Sequence, residues 1–292
     1  MTTATSYLLV TPQTRIAYLG PDGSYSSLAA HQYFGEMSRF ISCRTIPAVF
    51  EAMRSHEADY GIVPVENSTD GRIIDTMVAF TVYRQSICAE VAIQIDHALL
   101  SRSSMSEIRE IHSKPQAISQ CRAWIAEHLP QAILCDAPST TAAAVLAMER
   151  PEIAAVGPAS LANRYPLNVL ANSIQDDPEN HTRFLVLGES PCVPNATYST
   201  AQTNEISGYK TAVLLKLPHR CGSLADALSI FRVFEINLSR IESFPVRGLK
   251  NHYWFYIEFE GHKEQPLCHS VLTTLELFAT EMILLGSYPT AE

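Results

Sequence analysis

A hydroxyl beside a guanidinium, Thr182-Arg183-Phe184, stands where a polar run over 174–181 gives way to an apolar run through Leu187. A threonine hydroxyl donates a hydrogen bond at any physiological pH, and an arginine grips a carboxylate in a planar fork. Together they suit a site that holds an anion and assists a departing oxygen. The plain structural alternative is that Thr182 satisfies local backbone and Arg183 pairs with Asp176 or Asp177. Four further turns are rich in hydroxyls and amides: Gly20–Ser24, Glu66–Thr69, Ser113–Gln116 and Ser139–Thr141.

Each turn follows the carboxyl end of an expected strand. Strands are read at Arg15–Leu19, 39–43, Tyr60–Val65, Arg109–His112, Ala132–Cys135 and Ile153–Val156, alternating with helices of apolar spacing. Ser24 and Ser139 read as helix N-caps and Pro115 as a first-turn residue. Strand–helix alternation predicts an α/β fold with mostly parallel sheets. Ligands of such sheets bind beyond the strand carboxyl ends, and helix N-termini favour anions. The pattern therefore predicts two lobes, 14–88 with 167–188 and 89–166, facing each other across a cleft for a small anion. Residues 189–209, rich in Pro, Asn, Ser and Thr, read as a linker. Residues 210–288 then run β-α-β-β-α-β, a ferredoxin-like order.

Composition narrows the function. A net charge of −9 has the wrong sign for a nucleic-acid binder. No apolar run approaches membrane-span length, and residues 1–14 hold no Lys or Arg, so neither a membrane role nor an N-terminal targeting segment is expected. Seven scattered cysteines without a Cys-x-x-Cys pair read as reduced thiols in a cytoplasmic protein. The ten histidines show no ligand spacing, so no metal site is expected.

The motifs resemble the prephenate dehydratase family along nearly the whole chain. The resemblance rests on Ala17 to Ser26, on Val63-Pro64-Val65-Glu66-Asn67-Ser68 with Gly71 and Thr76, on Pro115-Gln116-Ala117 with Gln120-Cys121, on Ser139 to Ala144, and on Thr182-Arg183-Phe184. Lys114 stands where the family usually has His. The tail resembles an ACT domain, an amino-acid-binding regulatory module: Gly222-Ser223-Leu224 is similar to its Gly-Ala-Leu motif, and Glu242-Ser243-Phe244-Pro245 to its Glu-Ser-Arg-Pro motif with Phe for Arg.

The resemblance implies a two-lobed, periplasmic-binding-protein-like catalytic domain and decarboxylating dehydration of prephenate to phenylpyruvate without metal or organic cofactor. It implies Thr182 as the catalytic hydroxyl, with Arg183 as carboxylate grip or brace and Glu66 as proton relay or loop anchor. Asn67, Ser68, Ser139 and Thr140, then Ser24, Thr76 and Phe184, are the expected substrate-binding residues. Gly222, Ser223, Leu224, Glu242 and Ser243 are expected to bind L-phenylalanine as effector, in a homodimer or homotetramer. Arogenate dehydratase, a non-aromatising decarboxylase and a non-catalytic sensor are the competing readings.

Overall fold

A computed structural model describes residues 8–189, 192–193 and 208–290. Most of the expected linker, 189–209, lies outside the described residues.

Lobe one opens with β1 (Arg15–Leu19), α1 (Tyr25–Phe34), β2 (Arg39–Cys43) and α2 (Ile46–Arg54). It continues with β3 (Tyr60–Asn67), β4 (Gly71–Arg72), α3 (Ile74–Tyr83) and β5 (Ile87–Gln94). Lobe two holds β6 (Ala98–Ser101), β7 (Glu110–Ser113), α4 (Pro115–Ser119), α5 (Arg122–His128) and β8 (Ile133–Asp136). After it come α6 (Thr140–Glu149), β9 (Ile153–Gly157), α7 (Leu161–Arg164) and β10 (Asn168–Ala171), and β11 (His181–Leu187) returns to lobe one.

The lobe-one sheet runs β2-β1-β3-β11-β5, with β4 hydrogen-bonded to β3. The lobe-two sheet runs β10-β6-β9-β7-β8. In both, the strands of the β-α repeats pair in parallel (β1 with β2 and β3; β7 with β8 and β9), whereas β5, β6, β10 and β11 pair antiparallel to their neighbours. The sheets are therefore mixed, where mostly parallel ones were expected. The chain crosses between lobes through strands rather than helices, and a strand arriving from the other lobe runs against the β-α repeats.

The crossings fall at residues 95–97 and 172–180, later than the expected lobe boundaries at 88/89 and 166/167. They lie side by side: Ile95 N donates to Asn180 O at 2.8 Å and Ile174 N to His97 O at 2.9 Å. Ser24 and Ser139 cap α1 and α6 as expected, their Oγ atoms accepting from Ser27 N (3.3 Å) and Ala142 N (2.9 Å).

The C-terminal unit is β12 (Tyr209–Lys216), α8 (Ser223–Val233), β13 (Leu238–Pro245), β14 (Tyr253–Glu260), α9 (Pro266–Phe278) and β15 (Glu281–Pro289), in sheet order β13-β14-β12-β15. The apolar run of β12 is explained by burial of both faces. Val213 and Leu215 pack with Phe231, Val271 and Leu275 under the two helices. Ala212 and Leu214 instead join one core with Val63, Val65, Met77, Phe80 and Leu185 of lobe one. Phe244, the departure from the resembled Arg, is 2% exposed in this shared core. At Gly286 (φ +140) an added Cβ would lie 2.3 Å from Ile87 O, so only glycine lets β15 approach β5 this closely.

Candidate active site

Between the lobes lies a cavity of about 570 Å³, within the roughly 300–1,000 Å³ that small-molecule sites occupy. Strand alternation decides which residues reach it. On β11, Thr182 and Phe184 line the cavity and Arg183, between them, points away. On β3, Pro64 and Asn67, three residues apart, both line it because a β-bulge opposite Arg183 and Phe184 adds one residue between them. Ser24 of lobe one and Ser139 and Thr140 of lobe two join them at the N-termini of α1 and α6, where unpaired backbone N–H groups favour an anion. Three cations line the same space, Arg44, Arg72 and Lys114.

The Thr182 hydroxyl is oriented by its neighbour. Asn67 Oδ1 accepts from Thr69 N and Asp70 N, both at 3.0 Å, which fixes the amide so that its Nδ2 faces Thr182. Nδ2 donates to Thr182 Oγ1 at 2.9 Å and to Asn180 Oδ1 at 2.9 Å. Thr182 Oγ1 therefore accepts from Asn67, which leaves its own proton available for a group in the cavity. Thr182 is 8% exposed, so water screens it little.

A second network spans the crossing. Gln120 Nε2 donates to Asp70 Oδ2 across the cleft at 2.9 Å, leaving Gln120 Oε1 to accept from His97 Nε2 at 3.0 Å. The Tyr25 hydroxyl lies 2.9 Å from Asp96 O and 3.1 Å from His97 Nδ1 and shares one proton between them. Burial pushes the His97 pKa down, against opposing pulls from Gln120 and Asp96, so the ring is neutral at pH 7. Burial, then Asp96 and Cys121, raise Tyr25 well above its ordinary value and keep it protonated. Thr141 Oγ1 donating to Asp22 O (3.0 Å) and Arg164 pairing with Asp22 (2.8 Å) also join the lobes.

Several expected site residues lie elsewhere. Arg183 neither grips the cavity nor pairs with Asp176 or Asp177. Its guanidinium meets Glu90 and Glu258 at 2.8 Å each, with Lys210 on the far side of Glu90 at 2.9 Å. Burial alone would depress Arg183; the hydrogen bond and charge of Glu258, then Tyr256 and Glu90, reverse that and raise it. Asp176 instead accepts from Ala123 N at the start of α5 (3.1 Å). Glu66 is turned from the cavity to Arg240 of β13, with Arg183 Nε 3.6 Å away, so its side chain anchors an interdomain contact. Ser68 Oγ accepts from His181 N (3.0 Å) and braces the start of β11. Thr76 is fully buried, its Oγ1 donating to Pro64 O at 2.6 Å beside the β-bulge between β3 and β11.

Of the expected effector residues, Ser223 and Leu224 line a smaller cavity of about 150 Å³ with His219, Arg220, Asn251 and Phe255. Gly222 precedes α8 in the left-handed region. Glu242 and Ser243 lie apart from it, on the sheet-edge strand β13.

Asn180, His97, Arg44 and Arg72 were not anticipated. Arg72 had a legible signal, since it closes the turn that carries Asn67. His97 had none, because it lies in a crossing. The fold also gathers Glu110 and His112 of β7 with Cys135 of the neighbouring β8, ligand-type atoms within 4.8 Å of one another. Glu110 there is also within 2.8 Å of His112 and 3.2 Å of Arg150.

Two α/β lobes around a cleft lined by Arg44, Arg72 and Lys114, with a βαββαβ unit packed behind one of them, define a two-lobed class of small-molecule-binding protein. The prephenate dehydratase family profile matches residues 16–192. The chain belongs to the prephenate dehydratase family. It is 33% identical over 281 residues to prephenate dehydratase of Amycolatopsis methanolica, covering 96% of this chain and 90% of that one. It is also 33% identical to arogenate dehydratase/prephenate dehydratase 2 of Arabidopsis thaliana, over 95% of this chain and 73% of that one. The crystal structure of prephenate dehydratase from Arthrobacter aurescens in complex with L-Phe superposes with a TM-score of 0.84 at 33% identity, over 95% of this chain and 90% of that one. A quorum-quenching acylase, GqqA, superposes at 0.82 with 28% identity, over 95% and 98%. Among the described residues no helix is long and apolar enough to cross a membrane.

Proposed function

We propose that the interlobe cleft converts prephenate to phenylpyruvate and that Thr182 is its catalytic hydroxyl. The observation that carries this is the locked Asn67 amide, which makes Thr182 Oγ1 an acceptor and leaves its proton available at the cavity wall. Prephenate carries two carboxylates and a ring hydroxyl. The ring–carboxylate bond breaks, its electron pair moves into the ring, and the carbon–hydroxyl bond opposite breaks. Carbon dioxide and hydroxide leave, and hydroxide takes a proton from solvent to become water. Negative charge grows on the departing oxygen, where the preorganised Thr182 O–H stabilises it. Arg44, Arg72, Lys114 and the N-termini of α1 and α6 receive the carboxylates. Ser139 and Thr140 hydrogen-bond them. Asn67 acts through Thr182, and Ser68 and Thr76 act on the backbone.

An acylase reading has less support. A nucleophilic hydroxyl needs an adjacent base. Ser24 Oγ donates to Leu19 O, Ser139 Oγ accepts from Ala142 N and Thr182 Oγ1 accepts from Asn67; among the described residues none of the three hydrogen-bonds to a histidine or carboxylate.

The C-terminal unit is read as an ACT domain that binds L-phenylalanine beside Ser223 and Leu224, at an interface between two copies of the chain, and lowers turnover. The βαββαβ order, the cavity there and the L-Phe complex of the Arthrobacter relative support this reading. A homodimer or homotetramer follows from it.

The test supplies prephenate and arogenate separately to the purified full chain and quantifies phenylpyruvate and phenylalanine, with and without added L-phenylalanine. Phenylpyruvate from prephenate, suppressed by L-phenylalanine, is the expected result. Product from arogenate alone would move the activity to the neighbouring substrate. No aromatic product from either would overturn the reading.

A further inference from the structure

The turn that carries Asn67, Asp70 and Arg72 is held from behind by the C-terminal domain. Glu66 of β3 and Arg72 of β4 are cross-strand partners. Arg240 and Glu242, two residues apart on β13, project from one face of that strand and meet them. Arg240 Nη1 pairs with Glu66 Oε2, Glu242 Oε2 with Arg72 Nη1 at 2.8 Å, and Arg240 Nη2 with Glu242 Oε1 at 3.3 Å. The four side chains form a row of alternating charge, Glu66–Arg240–Glu242–Arg72, whose two ends are backbone partners across β3 and β4. Arg240 is its buried member, with 8% of the side chain exposed. Arg72 is its outer end, 39% exposed and also part of the cavity wall.

We infer that Glu242 is a positioning residue for the dehydratase reaction: it aims the Arg72 guanidinium at a substrate carboxylate, so that β13 of the C-terminal domain sets the charge geometry of the cleft. The inference rests on the cleft being the prephenate site. Its physical content is rotamer freedom. A partly exposed arginine samples many conformers, and a single aimed one must be selected on binding unless a neighbour has already selected it. Glu242 engages one edge of the guanidinium and leaves the remaining N–H groups for the ligand. Glu66, the backbone partner of Arg72, turns its carboxylate to Arg240, and the carboxylate on Arg72 is that of Glu242. Glu242 is absent from the smaller cavity beside Ser223, its carboxylate being committed to Arg72 and Arg240 on the cleft side of the interface.

Binding, more than the chemical step, depends on this pair. The test compares wild type, Glu242→Gln, Arg72→Gln and the double variant in prephenate turnover at fixed ionic strength, with melting temperatures recorded for each. Glu242→Gln is expected to raise KM roughly fivefold to tenfold while kcat stays within about twofold, the signature of lost ground-state positioning. Arg72→Gln is expected to raise KM at least as much, and Glu242→Gln to add nothing in that background, since the aimed group is already gone. An unchanged KM in Glu242→Gln, or independent and additive effects of the two substitutions, would overturn the inference. A lowered melting temperature with an unchanged KM would reduce Glu242 to a structural role and overturn it too. If wild type itself does not turn over prephenate, the dehydratase reading fails and the inference falls with it. Wild-type turnover with a normal Glu242→Gln KM defeats the inference alone.

Discussion

The chemistry of this cleft turns on which partner of one hydrogen bond holds the proton. Asn67 is forced by two backbone N–H groups to present its amide nitrogen, so Thr182 accepts from it and donates forward. Asn67→Asp reverses that polarity: the carboxylate takes the Thr182 proton in a charge-assisted bond, and kcat is predicted to fall on the order of 10²-fold, as for loss of a preorganised donor. Steady-state kinetics with prephenate checks this, and unaltered kcat would show that the donor direction is irrelevant. Thr182, Asn67, Ser24, Ser139 and Thr140 were legible in the sequence because each stands at a strand end or a helix start. Arg183 and Glu66, each left open between a cleft role and a bracing role, sit on the bracing side for a reason that was itself legible. Once 181–187 is a strand, its period of two sends Thr182 and Phe184 to one side and Arg183 to the other, and the same rule separates Asn67 from Glu66.

At the level of elements, β11 does two things at once. Its cavity-side residues serve the cleft, and its far side carries Arg183 into a buried cluster with Glu90 and Glu258, which are 1% and 2% exposed. Removing one member of such a cluster strands the others, a loss of about 3–5 kcal/mol. Arg183→Met is therefore predicted to lower the melting temperature sharply while turnover per folded molecule stays near wild type. A large fall in kcat without loss of stability would instead return Arg183 to the cleft. The close approach of β15 to β5 makes a second prediction. Gly286→Ala places a methyl against Ile87 O and strains a positive-φ position, so limited proteolysis should detect a loosened C-terminal domain. Both contacts join residues about 75 to 200 positions apart, and sequence periodicity, which is local, carries no trace of such pairings.

For the whole molecule, the C-terminal domain shares a core and an ion cluster with lobe one, so docking and stability are coupled to pH. Burial would raise the Glu258 carboxyl, but the hydrogen bond and charge of Arg183, followed by Tyr256 and Arg240, hold it below its ordinary 4.5. A depressed folded-state pKa contributes stability that is complete above the unfolded value and is lost as the pH falls through the folded one. Thermal stability is thus predicted to hold down to about pH 4.5 and then decline, with a shallower decline in Glu258→Gln; melting curves from pH 7 to pH 3 test this. The two-lobed plan and the β-α-β-β-α-β tail were readable from alternation of strand and helix patterns. The antiparallel crossings and the shared core were not, because they depend on which lobe each strand joins.

The account stands most directly on the Thr182 hydroxyl. Its test is the kcat and KM of Thr182→Val and Thr182→Ser on prephenate. Valine keeps the shape and removes the donor, so kcat should fall about 10²–10³-fold with little change in KM, while serine retains most of the rate. Valine turnover near wild type would contradict the account and leave Thr182 a backbone-bracing residue in a cleft whose chemistry lies elsewhere.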